Sequence, residues 1–188
     1  DVNLACPSKL AKRRPRGGNL LANPEAAIEI LRAVRAAVPS EIACTVKLRR
    51  AWDDSPAMAI AFERIFEAAY EIGFAWATVH SRTVEQRYVG PGRWSALAAL
   101  VHRYPDRLVF GSGDVETAED IFSMIALCGV HAVAVARGAI ANPWIFRQAR
   151  DLQAGRPKSA PTLAEQGMIL QEQFRQRALL VGDRKASV

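Results

Sequence analysis

The residues of this chain that could do chemistry fall at the ends of short apolar runs. Asn3 and Cys6 close the opening stretch DVNLACP, with Pro7 directly after the thiol. Lys47 and Arg49 end TVKLR, His80 and Arg82 end TVHSR, Ser112 and Asp114 belong to VFGSGD, and Arg137 follows VAVA. A thiol at the mouth of a strand can serve as an acid or a nucleophile. A lysine inside an apolar strand needs a partner or a ligand, because an unpaired ammonium out of water is costly. His80 taken alone reads as a hydrogen-bonded core residue before it reads as a catalyst. Cys44, inside a strand, and Cys128, at a helix end, read as packing residues, and His102 and His131 carry no chemical signal. The three cysteines show no metal-type spacing, and their odd number argues against a disulfide framework.

These positions need a scaffold, and the hydrophobic pattern supplies one. Asn23-Pro24-Glu25 opens a helix with a capping residue and proline at its first position. IACTVKL reads as a strand at 42–48, followed by a helix over 56–72 whose inward face would be Ile60, Ile65 and Ala68 or Ala69. FAWATVH reads as a strand at 74–80, RLVF as another ending near Phe110, and ETAEDIFSMIAL as a helix. HAVAVA reads as a strand over 131–136, and NPWIFRQARDL again has proline in the first turn of a helix. Strands alternating with helices imply βαβ units and a parallel sheet, and the evenly apolar strands suit one covered by helices. A polar break follows from Gly155 to Pro161, and 162–181 reads as a helix of different character, its charges spread along it.

Composition sets the outer bounds. Half of the 188 residues are hydrophobic, which excludes disorder as a class, and 25 Lys plus Arg against 19 Asp plus Glu give a net charge of +6. That surplus favours a polyanionic partner without requiring one. No apolar run reaches the roughly 18 residues that would span a bilayer.

Two successive strand ends carry glycines: Gly111 and Gly113 before one helix, Gly138 before the next. Glycine lets backbone approach a phosphate, and the pairing matches the phosphate site after strands 7 and 8 of a (β/α)8 barrel. Counting back from Ala136 as the end of the eighth strand makes DVNL the end of the fourth. The expected fold is therefore α/β, a partial (β/α)8 TIM barrel of about strands 4 to 8 over 1–155. The start of a C-terminal helical domain would occupy 156–188. A barrel with open edges would also be poorly soluble by itself.

In its ordered set of motifs the chain resembles the tRNA-dihydrouridine synthases, flavin enzymes that reduce uridine in tRNA. VNLACPSK is similar to that family's N-x-G-C-P motif, and the agreement continues through GGNLLANPE, TVKLRRAWDD, TVHSRTVEQRYVGPGRW, GSGDVETAED and VARGAIANPWIF. The resemblance implies FMN as cofactor, NADPH as reductant, tRNA as partner, no metal, no membrane, a cytoplasmic location and a monomer when full length. It implies hydride transfer from reduced FMN to C6 of uracil and a proton from Cys6 to C5. Lys47 and His80 would contact the flavin, while Ser112, Gly113, Asp114, Ala136 and Arg137 would surround its phosphate. Asn3, Arg49, Arg82 and Tyr88 would hold the base. Ala5, Ala51, Ser81 and Ala136 stand where the family commonly has glycine, and Ser112 where it has asparagine. Lys9, Lys12, Arg13, Arg14 and Arg16 would either meet tRNA phosphates or form a solvated loop. The competing expectations are another phosphate-binding barrel, such as a dihydroorotate-type flavin oxidoreductase or a sugar-phosphate lyase, or a non-catalytic tRNA binder.

Overall fold

The computed structural model describes residues 1–7 and 16–181; the basic residues Lys9, Lys12, Arg13 and Arg14 lie outside them. The chain divides into two compact units, Asp1–Pro143 and Trp144–Val188.

In the first unit five strands alternate with helices: β1 (Val2–Leu4), α1 (Pro24–Ala37), β2 (Thr45–Arg49), α2 (Pro56–Ile72), β3 (Trp76–His80), α3 (Trp94–Arg103), β4 (Val109–Ser112), α4 (Ala118–Cys128), β5 (Ala132–Ala134) and α5 (Arg137–Ala141). A 3-10 turn over Gly17–Ala22 leads into α1. The strands pair in chain order, β1-β2-β3-β4-β5, and every pairing is parallel. Parallel neighbours joined through helices are the repeating unit of a (β/α)8 barrel, and this sheet is part of one.

Local chemistry explains the helix boundaries. The Asn23 side chain accepts from the Ala26 N–H and Ser55 from the Met58 N–H, each just before a proline. Thr117 and Asp120 form a reciprocal capping box at the start of α4. Helix α2 ends at Gly73, whose φ of 100° is the left-handed conformation that terminates helices.

The β2 strand begins later than expected. Ile42 lies in a turn with its carbonyl taken by Arg35 Nη1, so the ladder starts at Thr45. Helix α2 buries Ile65, Ala68 and Ala69 as expected, together with Phe62 and Phe66, whereas Ile60 is 60% exposed. At 100° per residue, Ile60 sits on the far side from the 62–65–66–69 face. Strand β4 runs on past Phe110 to Ser112, carried by its ladder with β3.

Strand alternation separates core from site. Val46, Leu48, Ala77, Val79 and Val109 are completely buried in the core cluster with Leu31, Ile65, Phe66, Leu97 and Met124 from the helices. The intervening residues, Lys47, Arg49, Thr78, His80, Phe110 and Ser112, therefore share the other face of the sheet.

The second unit holds α6 (Ile145–Gln153) and α7 (Leu163–Val181). Arg147 pairs with Glu165 at 2.5 Å, and the Asp151 carboxylate accepts from both Ser159 and Arg156. No helix among the described residues is long and apolar enough to cross a membrane.

Candidate active site

Register places the polar residues in two rows across the sheet. Asn3, Lys47, Thr78 and Phe110 are paired neighbours in one row, and Arg49, His80, Ser112 and Ala134 in the next. The second row lies at the C-terminal ends of the strands, the end where βα loops build sites in barrels. A cavity of about 290 Å³ opens there. Asn3, Cys6, Lys47, Arg49, His80, Tyr88, Ser112, Gly113, Asp114, Ala136 and Arg137 all line it. Residues scattered from position 3 to 137 thus meet in one place.

Arg82, expected to hold a base, is the exception: it is not among the residues that line the cavity. Its side chain is 5% exposed, it pairs with Asp114 Oδ1 at 2.6 Å, and it donates to the Gly90 carbonyl from Nε and Nη2. Arg49 reaches the cavity, but its guanidinium already donates to the carbonyls of Ala5, Thr83 and Arg87 at 2.7–2.9 Å. It braces the β1 end against the loop after β3 more than it offers hydrogen bonds to a ligand.

Cys6 is exposed and unpaired. The Gly18 N–H donates to its carbonyl at 2.9 Å, and a methyl group on Gly18 would lie 2.9 Å from that same oxygen. Only glycine allows this close backbone approach, so Gly17-Gly18 fixes where Cys6 stands. The doubled glycine was the one local signal in the sequence for that role. The Asn3 Oδ1 accepts from the Ala5 N–H, which closes a turn and fixes the amide so that its NH₂ is the free end.

The electrostatics favour an anion. Lys47 has no carboxylate partner among the described residues; burial, then the Arg49 charge, pushes its pKa down. Burial, followed by the charges of Arg49, Lys47 and Arg82, lowers His80 to about 3, so the ring is neutral. Its Nδ1 accepts from the Arg82 N–H at 3.1 Å, which leaves Nε2 as the nitrogen that carries hydrogen. Burial raises the Asp114 carboxyl, but the Gly92 N–H and Arg82 outweigh it and hold the pKa below the ordinary range.

The β4 and β5 loops lie against each other without spare room. Gly113 has φ 111° and Asp114 φ 56°, both left-handed. A Cβ on Gly113 would sit 2.6 Å from Ser81 Oγ, and one on Gly138 would overlap the Val115 carbonyl oxygen. Ser81 fills the space that Gly113 and Gly92 leave, its hydroxyl without a partner among the described residues. At the mouth the Tyr88 ring lies between two guanidinium groups, Arg49 at 5.3 Å and Arg137 at 5.0 Å.

Comparison with known proteins bears on the family of the chain. The family described as dihydrouridine synthase matches residues 1–185. The chain belongs to that family. It is 35% identical over 172 residues to a probable tRNA-dihydrouridine synthase of Mycobacterium leprae, an alignment covering 90% of this chain and 44% of that protein. It is 30% identical to tRNA-dihydrouridine synthase B of Shewanella oneidensis over 98% of the chain and 56% of the relative. With tRNA-dihydrouridine(16) synthase of Cupriavidus necator it shares 36% identity over 84% of the chain and 47% of the relative. The chain spans about half the length of these curated relatives.

Proposed function

We propose that the intact protein reduces uridine to dihydrouridine in tRNA, using FMN replenished by NADPH. The observation that carries this reading is the convergence of Cys6, Asn3, Lys47 and His80 on one cavity that ends in two glycine-bearing loops. The residues present suit the flavin. The cavity is at the small end of the roughly 300–1,000 Å³ typical of cofactor sites. Lys47, with no carboxylate partner among the described residues, suits the polar edge of the flavin ring, and neutral His80 offers an Nε2–H donor. The close-packed backbone at Gly113 and Gly138 gives a phosphate a cradle free of side chains.

Reduced FMN, when bound, supplies the hydride that uracil C6 requires. The chain's residues do the rest. Cys6 stands at the cavity and gives its proton to C5, where negative charge builds up. The Asn3 NH₂ meets a carbonyl of the base, because its oxygen is already committed to Ala5. A base drawn out of its stack, at a cost of a few kcal/mol, meets the Tyr88 side chain at the mouth, where the ring packs with Arg49 and Arg137. Lys47, at the cavity, would stabilise negative charge developing on the flavin without having to reorganise. Helix α7 would begin the helical domain that presents tRNA to the site.

Flavin titration followed by visible absorbance, together with dihydrouridine assay on tRNA, tests the reading. Cys6→Ala should keep FMN and tRNA affinity and lose turnover, since only the proton donor is removed. Unchanged dihydrouridine formation would remove Cys6 as the acid, and an intact protein that binds tRNA but never FMN would favour a non-catalytic binder.

A further inference from the structure

The loop from Arg82 to Gly92 carries Tyr88 to the cavity mouth, and its far half is held in an unusual way. Its inner half is tied by backbone, Val84 N–H to Ala51 and Glu85 N–H to Trp52. Its outer half is braced within itself, because Gln86 Nε2 donates to the carbonyls of Val89 and Pro91 at 2.9 Å. Besides the Arg87 carbonyl that Arg49 holds at 2.7 Å, that braced half meets the barrel end through a polar cluster at Asp114. Asp114 Oδ1 takes Arg82 Nη2 and Oδ2 takes the Gly92 N–H, both at 2.6 Å, while Arg82 Nε and Nη2 grip the Gly90 carbonyl at 2.9 and 2.6 Å. Both ends of the loop are therefore drawn to a single carboxylate.

We propose that Arg82 is a positioning residue: it clasps residues 86–92 against Asp114 and so keeps Tyr88 between Arg49 and Arg137. The inference rests on reading the cavity as a flavin and uridine site, and it adds the device that sets the base-holding side of it. Tyr88 is itself 57% exposed and so has little packing of its own to hold it. Its ring is kept in place by two cations and by the loop beneath. Asp114 Oδ1 also lies 3.9 Å from Arg137 Nη2, so the same carboxylate steadies one of those cations. Arg82 suits this work because its planar fork serves two acceptors at once. With its side chain 5% exposed, its charge cannot turn to water instead. Asp114 holds a left-handed φ of 56°, a conformation these bonds help to maintain.

The test is amide hydrogen exchange on the cofactor-free intact protein, with steady-state kinetics on tRNA alongside. In Arg82→Gln the amides of residues 87–92, Gly92 above all, should exchange about tenfold faster or more, while β3, β4 and the Val84 and Glu85 amides keep their protection. KM for tRNA should rise about tenfold with kcat changed much less, as expected when a binding element loosens rather than the chemistry. Arg82→Lys, which keeps the charge but not the fork, should fall between. Should Arg82→Gln fail to fold, Arg82→Gln with Asp114→Asn removes the half-buried carboxylate left without its guanidinium, and the same exchange pattern is expected. Unchanged protection at Gly92 would overturn the clasp. Loosened exchange with an unchanged KM would overturn its role in holding the base. Because exchange is read without flavin, it decides the clasp even if the protein proves not to reduce uridine.

Discussion

Gly138→Ala is the sharpest probe of the two-loop cradle. The added methyl would overlap the Val115 carbonyl oxygen and lie 2.9 Å from Glu116 Cα and 3.2 Å from Val115 C. Ordinary contacts of this kind are about 3.4–4 Å, and all three neighbours are backbone, so no side chain can rotate away. The β5 loop must then retreat from the β4 loop by something near 1 Å. Overpacking of this sort costs about 1–3 kcal/mol, and the rigid neighbours put this site at the upper end. At roughly 2–4 °C per kcal/mol for a domain of this size, Tm should fall by about 6–12 °C. The same retreat widens the phosphate cradle, so FMN affinity should drop about tenfold or more. Gly167→Ala is the control: nothing lies within 4 Å of its Cβ, and alanine in α7 should stabilise by up to about 1 kcal/mol. Urea unfolding and flavin titration read both variants. A Gly138→Ala protein with the parent's Tm and FMN affinity would refute the reasoning that the loops abut there.

His80 makes stability depend on pH. The folded ring is held to about 3 while an unfolded histidine titrates near 6.5, so below that value the unfolded chain takes up a proton that the folded one refuses. Stability should be flat above about pH 6.5 and fall as pH drops toward 3, and His80→Gln should flatten that part of the urea-midpoint profile. Arg49→Lys exchanges a fork that serves three carbonyls for a single ammonium, and should cost about 2–3 kcal/mol in chemical denaturation. Lys47→Gln removes the unpaired cation of the cavity and should weaken flavin binding, with little loss of Tm, because no ion pair is broken among the described residues.

Much of the site was legible because its residues sit at strand ends, and strand ends are marked by where apolar runs stop. Lys47 stood out as a cation inside a strand, Cys6 as a thiol before proline, and the glycines near 111, 113 and 138 as backbone that must come close to something. Other features gave no such mark. Ile60 looked inward on composition alone, because helical phase cannot be set from a few apolar residues. The late start of β2 followed from Arg35 capturing the Ile42 carbonyl, a contact with no local sequence signature.

Arg82 shows where one-dimensional reading stops. Beside His80 it looked like a residue of the cavity, but β3 ends at His80, and the loop that follows carries the side chain to Asp114 and Gly90. The sequence by itself determined the order of strands and helices, the face each strand turns to the core, and which loops carry chemistry, because periodicity and caps are local. Only the tertiary structure decided which charges pair and which stay free. Arg49 and Arg82 are taken up by carbonyls and a carboxylate, and Lys47 is left for a ligand, since pairing depends on register and loop approach across residues far apart in the chain.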